Sequence, residues 1–201
     1  MKLYYSPGAC SLAAHIALRE AAVTFDAIKV GRDKKTSDGA DYNAINPKGY
    51  VPALVLDDGQ VLTEGPAILQ YIADRNPSSG LAPPASDMQR YRLQEWLGFL
   101  NSEVHKNFSP FFNPAATEPM KEMARANVLR RLSFTQQALT GRSFLLGERF
   151  TVADAYLFTI LNWGQYAGID LGQWPALKAL HARVAARPHV QAAMKAEGLS
   201  G

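Results

Sequence analysis

Strand signals stop at residue 62, and from residue 87 onward the sequence repeats only with a helical period. This break limits the fold more than any other feature of the chain. Lys2-Leu3-Tyr4-Tyr5 reads as a short strand stopped by Ser6-Pro7-Gly8. Ser11 to Ala22 reads as a helix with Leu12 and Ile16 on one face, and Phe25 to Val30 as a second strand. Gly31 to Gly39 is a polar loop, and Asp41 to Ile45 is one helical turn that ends before Asn46-Pro47. Ala53–Leu56 and Gln60–Leu62 flank Asp57-Asp58-Gly59, a hairpin on an Asp-Gly turn. Thr63 then caps a helix over Glu64 to Asp74. The order β-α-β-α-β-β-α fills residues 1–77. A Pro- and Gly-rich linker follows over 78–86, and an all-helical domain over 87–201. The expected class is therefore α/β plus all-α.

Composition narrows the function. Lys and Arg number 21 against 18 Asp and Glu, a balance too even for a general nucleic-acid or membrane-surface binder. The longest stretch without formal charge, Leu3 to Leu18, is broken by Pro7 and Gly8 and does not read as a membrane span. The first residues lack the apolar stretch of a secretory signal. The chain has 1 cysteine, which excludes an intrachain disulfide and any multi-cysteine metal site. The expectation is a reduced, cytoplasmic protein without metal, membrane or nucleic-acid partner.

Several residues could carry chemistry. Cys10 stands between a Pro-Gly turn and a helix beginning at Ser11, where free N–H groups favour a thiolate. The competing reading is a small buried core residue. Ser11 is either a helix cap or a hydroxyl donor to a bound sulfur. Tyr5 reads as a packed strand aromatic, and Lys35 as a solvated loop residue. Pro52 starts the third strand or follows a cis bond from Val51. Glu64 complements the start of its helix, and it also suits a ligand ammonium if the Gly65 N–H binds the accompanying carboxylate. Over Asp87 to Phe108, helical spacing puts Leu93, Leu97, Leu100 and Val104 on one side. Gly98, Ser102, His105 and Ser109 fall on the opposite side, an uncharged stripe that suits a cleft wall or a packed histidine. Thr151-Val152-Ala153-Asp154 is a capping box ahead of a helix apolar nearly all round. Arg125, Arg130 and Arg131 read as a solvated helix face.

Along its whole length the chain resembles the cytosolic glutathione transferases, and most of all their bacterial, cysteine-containing beta class. The resemblance rests on Tyr4-Tyr5-Ser6-Pro7-Gly8-Ala9-Cys10-Ser11, Asn46-Pro47-Lys48-Gly49-Tyr50-Val51-Pro52 and Leu62-Thr63-Glu64-Gly65-Pro66-Ala67-Ile68. Glu95-Trp96-Leu97, Glu103-Val104-His105-Lys106 and Phe150-Thr151-Val152-Ala153-Asp154 extend it. It implies a thioredoxin-like first domain and a homodimer. It also implies a cis Val51–Pro52 bond, with Val51 pairing with the cysteinyl backbone of glutathione. Glu64 and Gly65 would hold the γ-glutamyl end and Lys35 the glycyl carboxylate. Cys10 would lie beside the glutathione sulfur, with Ser11 and His105 sharing the catalytic work. Ser102, Glu103, His105 and Lys106 would face that sulfur from the helical domain, and Phe108, Phe111, Phe112 and Trp163 would receive the electrophile. The implied activity is conjugation of glutathione to small hydrophobic electrophiles, with thiol transfer or reductive dehalogenation through Cys10. The alternative is a non-enzymatic ligand-binding or protein-docking module on the same fold. Gly65 departs from the serine that many relatives carry, Gly98 from a frequent asparagine, and no second cysteine supports a two-thiol cycle.

Overall fold

The computed structural model describes residues 1–199, and the last two positions of the expected helical domain, Ser200 and Gly201, lie outside the described residues. Two compact units result, Met1–Ala82 joined by the stretch from Ala186, and Pro83–Ala185.

In the first unit, β1 (Lys2–Tyr5), β2 (Asp26–Lys29), β3 (Ala53–Val55) and β4 (Val61–Thr63) form one sheet in the order β2-β1-β3-β4. β1 runs parallel to β2 and antiparallel to β3, which pairs antiparallel with β4. The side-chain period of two divides the strands cleanly. Leu3 stands opposite Leu54 on one face, and Tyr4 opposite Ala53 on the other. The second face packs Tyr4, Val30 and Ala53 with Tyr42 of α2 (Tyr42–Ile45), the single turn that Asp41 caps through Asn43 N–H. α1 (Ser11–Glu20) and α3 (Gly65–Arg75) pack together, and α9 (Pro188–Ala196) packs along α1. With neighbours on so many sides, Ser11 to Leu18 are all buried. The C-terminal residues therefore complete the α/β unit. The expectation that everything after residue 87 is one domain is corrected by this packing, because the apolar face of α9 fits α1.

Thr63 ends β4 instead of capping α3. The N-cap is Glu64, whose backbone sits in the left-handed region at φ 69 and whose side chain makes no cap hydrogen bond.

The second unit contains α4 (Met88–Phe99), α5 (Ser109–Phe112), α6 (Glu118–Leu139), α7 (Val152–Leu161) and α8 (Pro175–Ala185). Every residue of α7 is buried, as its all-round apolarity predicts. Its start is the expected capping box, with Thr151 and Asp154 bonded reciprocally. The expected single helix over 87–108 is interrupted. After α4 the chain widens into a π turn, Leu100–Val104, then tightens into a 3₁₀ turn, His105–Phe108. Leu93, Leu97, Leu100 and Val104 still line the buried side.

Candidate functional site

In the first unit, Cys10 is the N-cap residue of α1 and is half-buried. Its Sγ donates to the Val51 carbonyl at 3.3 Å, and the peptide bond that follows, Val51–Pro52, is cis. The turn ahead of Cys10 is tightly tied. Ser11 Oγ accepts from Ser6 N–H and donates to Ser6 O, both at 3.2 Å, and Ser11 is fully buried. Its hydroxyl closes the Ser6–Ser11 loop, and the N-cap position falls to Cys10 instead of Ser11, which corrects the reading of Ser11 as the cap. Tyr5 is buried beside His15, as expected of a strand aromatic. Burial first, then the Glu197 charge, push its hydroxyl pKa up, so the phenol keeps its proton at neutral pH.

Glu64 lies at the start of α3 with its carboxylate half-exposed. Lys48 Nζ approaches Oε1 at 2.6 Å and Tyr50 OH donates to the same oxygen at 2.9 Å, while Lys48 also bonds Thr63 Oγ1 at 3.0 Å. The carboxylate holds the Lys48 ammonium and the Tyr50 phenol above their ordinary pKa values. Lys48 and Tyr50 belong to this cluster although sequence reasoning missed them. Both stand in the quoted Asn46–Pro52 segment, but 16 and 14 positions ahead of Glu64, a separation across the hairpin that local spacing does not read. A side chain at Gly65 would meet nothing within 4 Å, so the missing serine is not a steric requirement. Lys35 is exposed on its loop, its backbone N–H bonded to Asp33.

In the second unit the widened turn decides where His105 goes. Its N–H bonds Leu100 O, five residues back. Gly98, Ser102 and Ser109 stay exposed, whereas His105 turns inward and leaves the polar stripe on which uniform helical spacing put it. Nδ1 lies 2.7 Å from Tyr156 OH, and that hydroxyl donates to Asn101 Oδ1 at 3.0 Å. With the phenolic proton committed to Asn101, His105 Nδ1 carries the hydrogen of this pair. Burial, then the neighbouring Lys106, hold the His105 pKa down to about 4, so the ring is neutral at physiological pH. His105 is therefore a dipole with an acceptor Nε2, not a cation. Tyr156 and Asn101 were absent from the sequence reading, because a buried tyrosine on an apolar helix looks like core.

The four expected aromatic residues come together. Trp163 meets His105, Phe108 and Phe112 with ring centroids at 4.8, 5.7 and 5.8 Å. Phe111 meets Phe108 at 6.2 Å, and Tyr166, not anticipated, meets Phe112 at 5.7 Å. Phe108 and Trp163 are buried, and Phe112 is exposed. The polar residues nearby are more committed. Glu103 Oε2 takes Nε and Nη2 of Arg131 at 2.8 and 2.5 Å, and Ser102 Oγ donates to Gly98 O at 3.0 Å. Lys106 is exposed. The pairing corrects the reading of Arg131 as a solvated face, and it holds Glu103 through Oε2. Arg125 likewise bonds Ala167 O at 2.9 Å and lies over the Phe111 ring.

Among the described residues no group of three or more His, Cys, Asp or Glu is placed to hold a metal, and no helix is long and apolar enough to cross a membrane.

Family models match both units: "Glutathione S-transferase, N-terminal domain" over residues 8–75 and "Glutathione S-transferase, C-terminal domain" over 99–188. The chain is 47% identical to glutathione S-transferase GstA of Escherichia coli O157:H7, over 99% of this chain and 100% of that protein. A sphingomonad glutathione S-transferase solved in complex with glutathione is 52% identical, with a TM-score of 0.96 and 100% of both chains covered. The bacterial beta class glutathione S-transferase of Sphingomonas chungbukensis is 49% identical, also with a TM-score of 0.96 and 100% of both chains covered.

Proposed function

The chain belongs to the glutathione S-transferase family, and from that premise we propose that it joins glutathione to small hydrophobic electrophiles, with Cys10 adding disulfide chemistry. The observation that carries this reading is the meeting of Cys10 Sγ with the Val51 carbonyl ahead of the cis bond to Pro52. It sets a thiol at the backbone edge that we assign to the cysteinyl part of glutathione. Glu64 and the Gly65 N–H take the γ-glutamyl end, and Lys35 the glycyl carboxylate. The sphingomonad relative bound to glutathione supports this choice of co-substrate.

The glutathione thiol gives up its proton to solvent water, and the thiolate forms a C–S bond at the electrophilic carbon. A leaving group such as halide departs with the bonding pair. Ordering two reactants lowers the barrier, and preorganised dipoles stabilise the thiolate. Neutral His105 and the surface of Phe108, Phe111, Phe112 and Trp163 are assigned to the electrophile, with Ser102 and Lys106 as polar neighbours.

Disulfide chemistry is a second reading, favoured by the position of the single thiol. Cys10 thiolate attacks the glutathione sulfur of a mixed disulfide and releases the other thiolate. A second glutathione thiolate then attacks the Cys10 adduct, which yields glutathione disulfide and regenerates Cys10. Reductive dehalogenation would use the same thiol. We further infer a homodimer, because Trp96, Phe99 and exposed Phe134 form a mutual aromatic cluster on α4 and α6. A cytoplasmic setting suits a chain whose one thiol must remain reduced.

Side-by-side assays of chlorodinitrobenzene conjugation and mixed-disulfide reduction test the proposal. Both should proceed with glutathione. Binding of glutathione with neither activity would establish the ligand-binding module instead.

A further inference from the structure

α7 runs on into a 3₁₀ turn, Asn162–Ala167, that carries Trp163 and Tyr166 to the aromatic surface. A 3₁₀ turn has poorer hydrogen-bond geometry than an α-helix, so its place depends on ties from outside. At its far end Arg125 Nε donates to Ala167 O and Ile169 N–H to Gly164 O, both at 2.9 Å. At its start the tie comes from α8. His181 Nε2 lies 2.7 Å from Asn162 Oδ1, and the His181 ring stacks on buried Phe158 with centroids 4.9 Å apart and planes at 30°.

A carboxamide oxygen only accepts, so Nε2 carries the hydrogen of this pair. Burial holds the His181 pKa below its ordinary value, so the ring is neutral at neutral pH and the bond joins two uncharged groups. Asn162 passes the constraint on. Gln165 Nε2 donates to its carbonyl at 3.1 Å, and its next neighbour in the chain is Trp163. The Trp163 ring meets His105 at 4.8 Å, nearer than the Tyr156 ring at 5.9 Å. The indole is thus part of the cover that keeps His105 dry and its pKa down at about 4.

We propose that His181 is a positioning residue for the aromatic surface. By holding Asn162 it seats Trp163 against His105 and fixes where Tyr166 stands against Phe112. Support from behind of this kind keeps a binding surface in one geometry. Its bearing on the electrophile rests on the proposed role of that surface, whereas its bearing on Trp163 and His105 does not.

His181→Phe tests it. Phenylalanine keeps a ring against Phe158 and removes the donor. In a proton NMR series the His105 midpoint should move upward, by about three-fold or more in the protonation constant, because water reaches a ring that Trp163 no longer covers. The KM for chlorodinitrobenzene should rise by about three-fold or more, as expected for one lost neutral hydrogen bond, with the KM for glutathione within about two-fold of wild type. His181→Gln, whose amide N–H takes the place of Nε2–H, should bring both values back to within about two-fold. A His105 midpoint that stays within about two-fold in the phenylalanine variant, with only global stability lowered, would overturn the proposal whatever the KM does. A glutamine variant that leaves the midpoint shifted would overturn it too, because the effect would then belong to the stack on Phe158. A shifted midpoint with an unchanged KM for chlorodinitrobenzene would uphold the proposal and sink the assignment of the aromatic surface to the electrophile. If His181→Phe does not fold, Asn162→Leu removes the same bond from the other side. It should shift the His105 midpoint alike, and an unmoved midpoint there would refute the tie.

Discussion

Replacing Asp154 with alanine should destabilise the protein in a way that depends on pH. The carboxylate accepts from Leu145 N–H and Thr151 N–H, both at 2.8 Å, and from Thr151 Oγ1 at 2.9 Å, with Asp154 fully buried. Alanine removes an N-cap contribution of about 0.5–2 kcal/mol. It also strands two backbone N–H groups in a dry site, at about 1–3 kcal/mol each. Against this stands the cost of burying the charge. Burial raises the Asp154 pKa from 3.8 to about 6, and the hydrogen bonds only partly offset it. The direction follows from proton counting. Between pH 4 and 6 the native state binds more protons here than the unfolded chain, so this group's contribution falls as pH rises through that window. Of the two conditions pH 5 and pH 8, the penalty for Asp154→Ala should therefore be larger at pH 5, about 2–4 kcal/mol. It should be smaller at pH 8 by about 1–2 kcal/mol, the linkage cost of the last unit of that window. Urea unfolding of both proteins at the two pH values measures this directly. A loss below about 1 kcal/mol at pH 5, or a penalty that grows toward pH 8, would refute the account of the buried carboxylate.

Three other outcomes can be measured. Glu64→Ala should weaken glutathione binding by about 1.5–3 kcal/mol in calorimetry, and Glu64→Gly should weaken it alike yet be more stable than the alanine variant by about 1 kcal/mol, because φ 69 suits glycine. Equal melting temperatures of the two variants would contradict the strain argument. The His105 ring should titrate near pH 4 in a proton NMR series, so His105 should leave no inflection in the conjugation profile between pH 5.5 and 8; titration above pH 6 would disprove the neutral ring. Cys10→Ala should abolish mixed-disulfide reduction and the glutathione adduct seen by mass spectrometry while only reducing conjugation; full retention of disulfide reduction would reduce Cys10 to a core residue.

The α/β unit was legible because its signals are local. A Pro-Gly stop, an Asp-Gly turn and strict alternation each name a geometry within a few residues. The capping box at Thr151 was legible for the same reason. What escaped was long-range or non-standard. The π turn at Leu100–Val104 carries no composition mark, so even helical spacing placed His105 on the wrong line and hid its bond to Tyr156. The left-handed Glu64 contradicts its own residue type, and only the sheet-to-helix junction forces it. Partners such as Arg131 for Glu103 and Glu197 for His15 lie far apart in the chain, 28 and 182 positions respectively, where spacing has nothing to say.

The return of α9 to α1 also sets an order of events during synthesis. α1 emerges from the ribosome early, but the helix that covers it is made only after the whole of Pro83–Ala185. At roughly 5–20 residues per second, the nascent first unit waits several seconds or more with an apolar helix face uncovered. The second unit, contiguous in sequence, meets no such delay. A message truncated before codon 187 would yield a chain whose helical part is whole and whose sheet-bearing part lacks its lid, a product that chaperones and proteases would recognise by that bare face of α1.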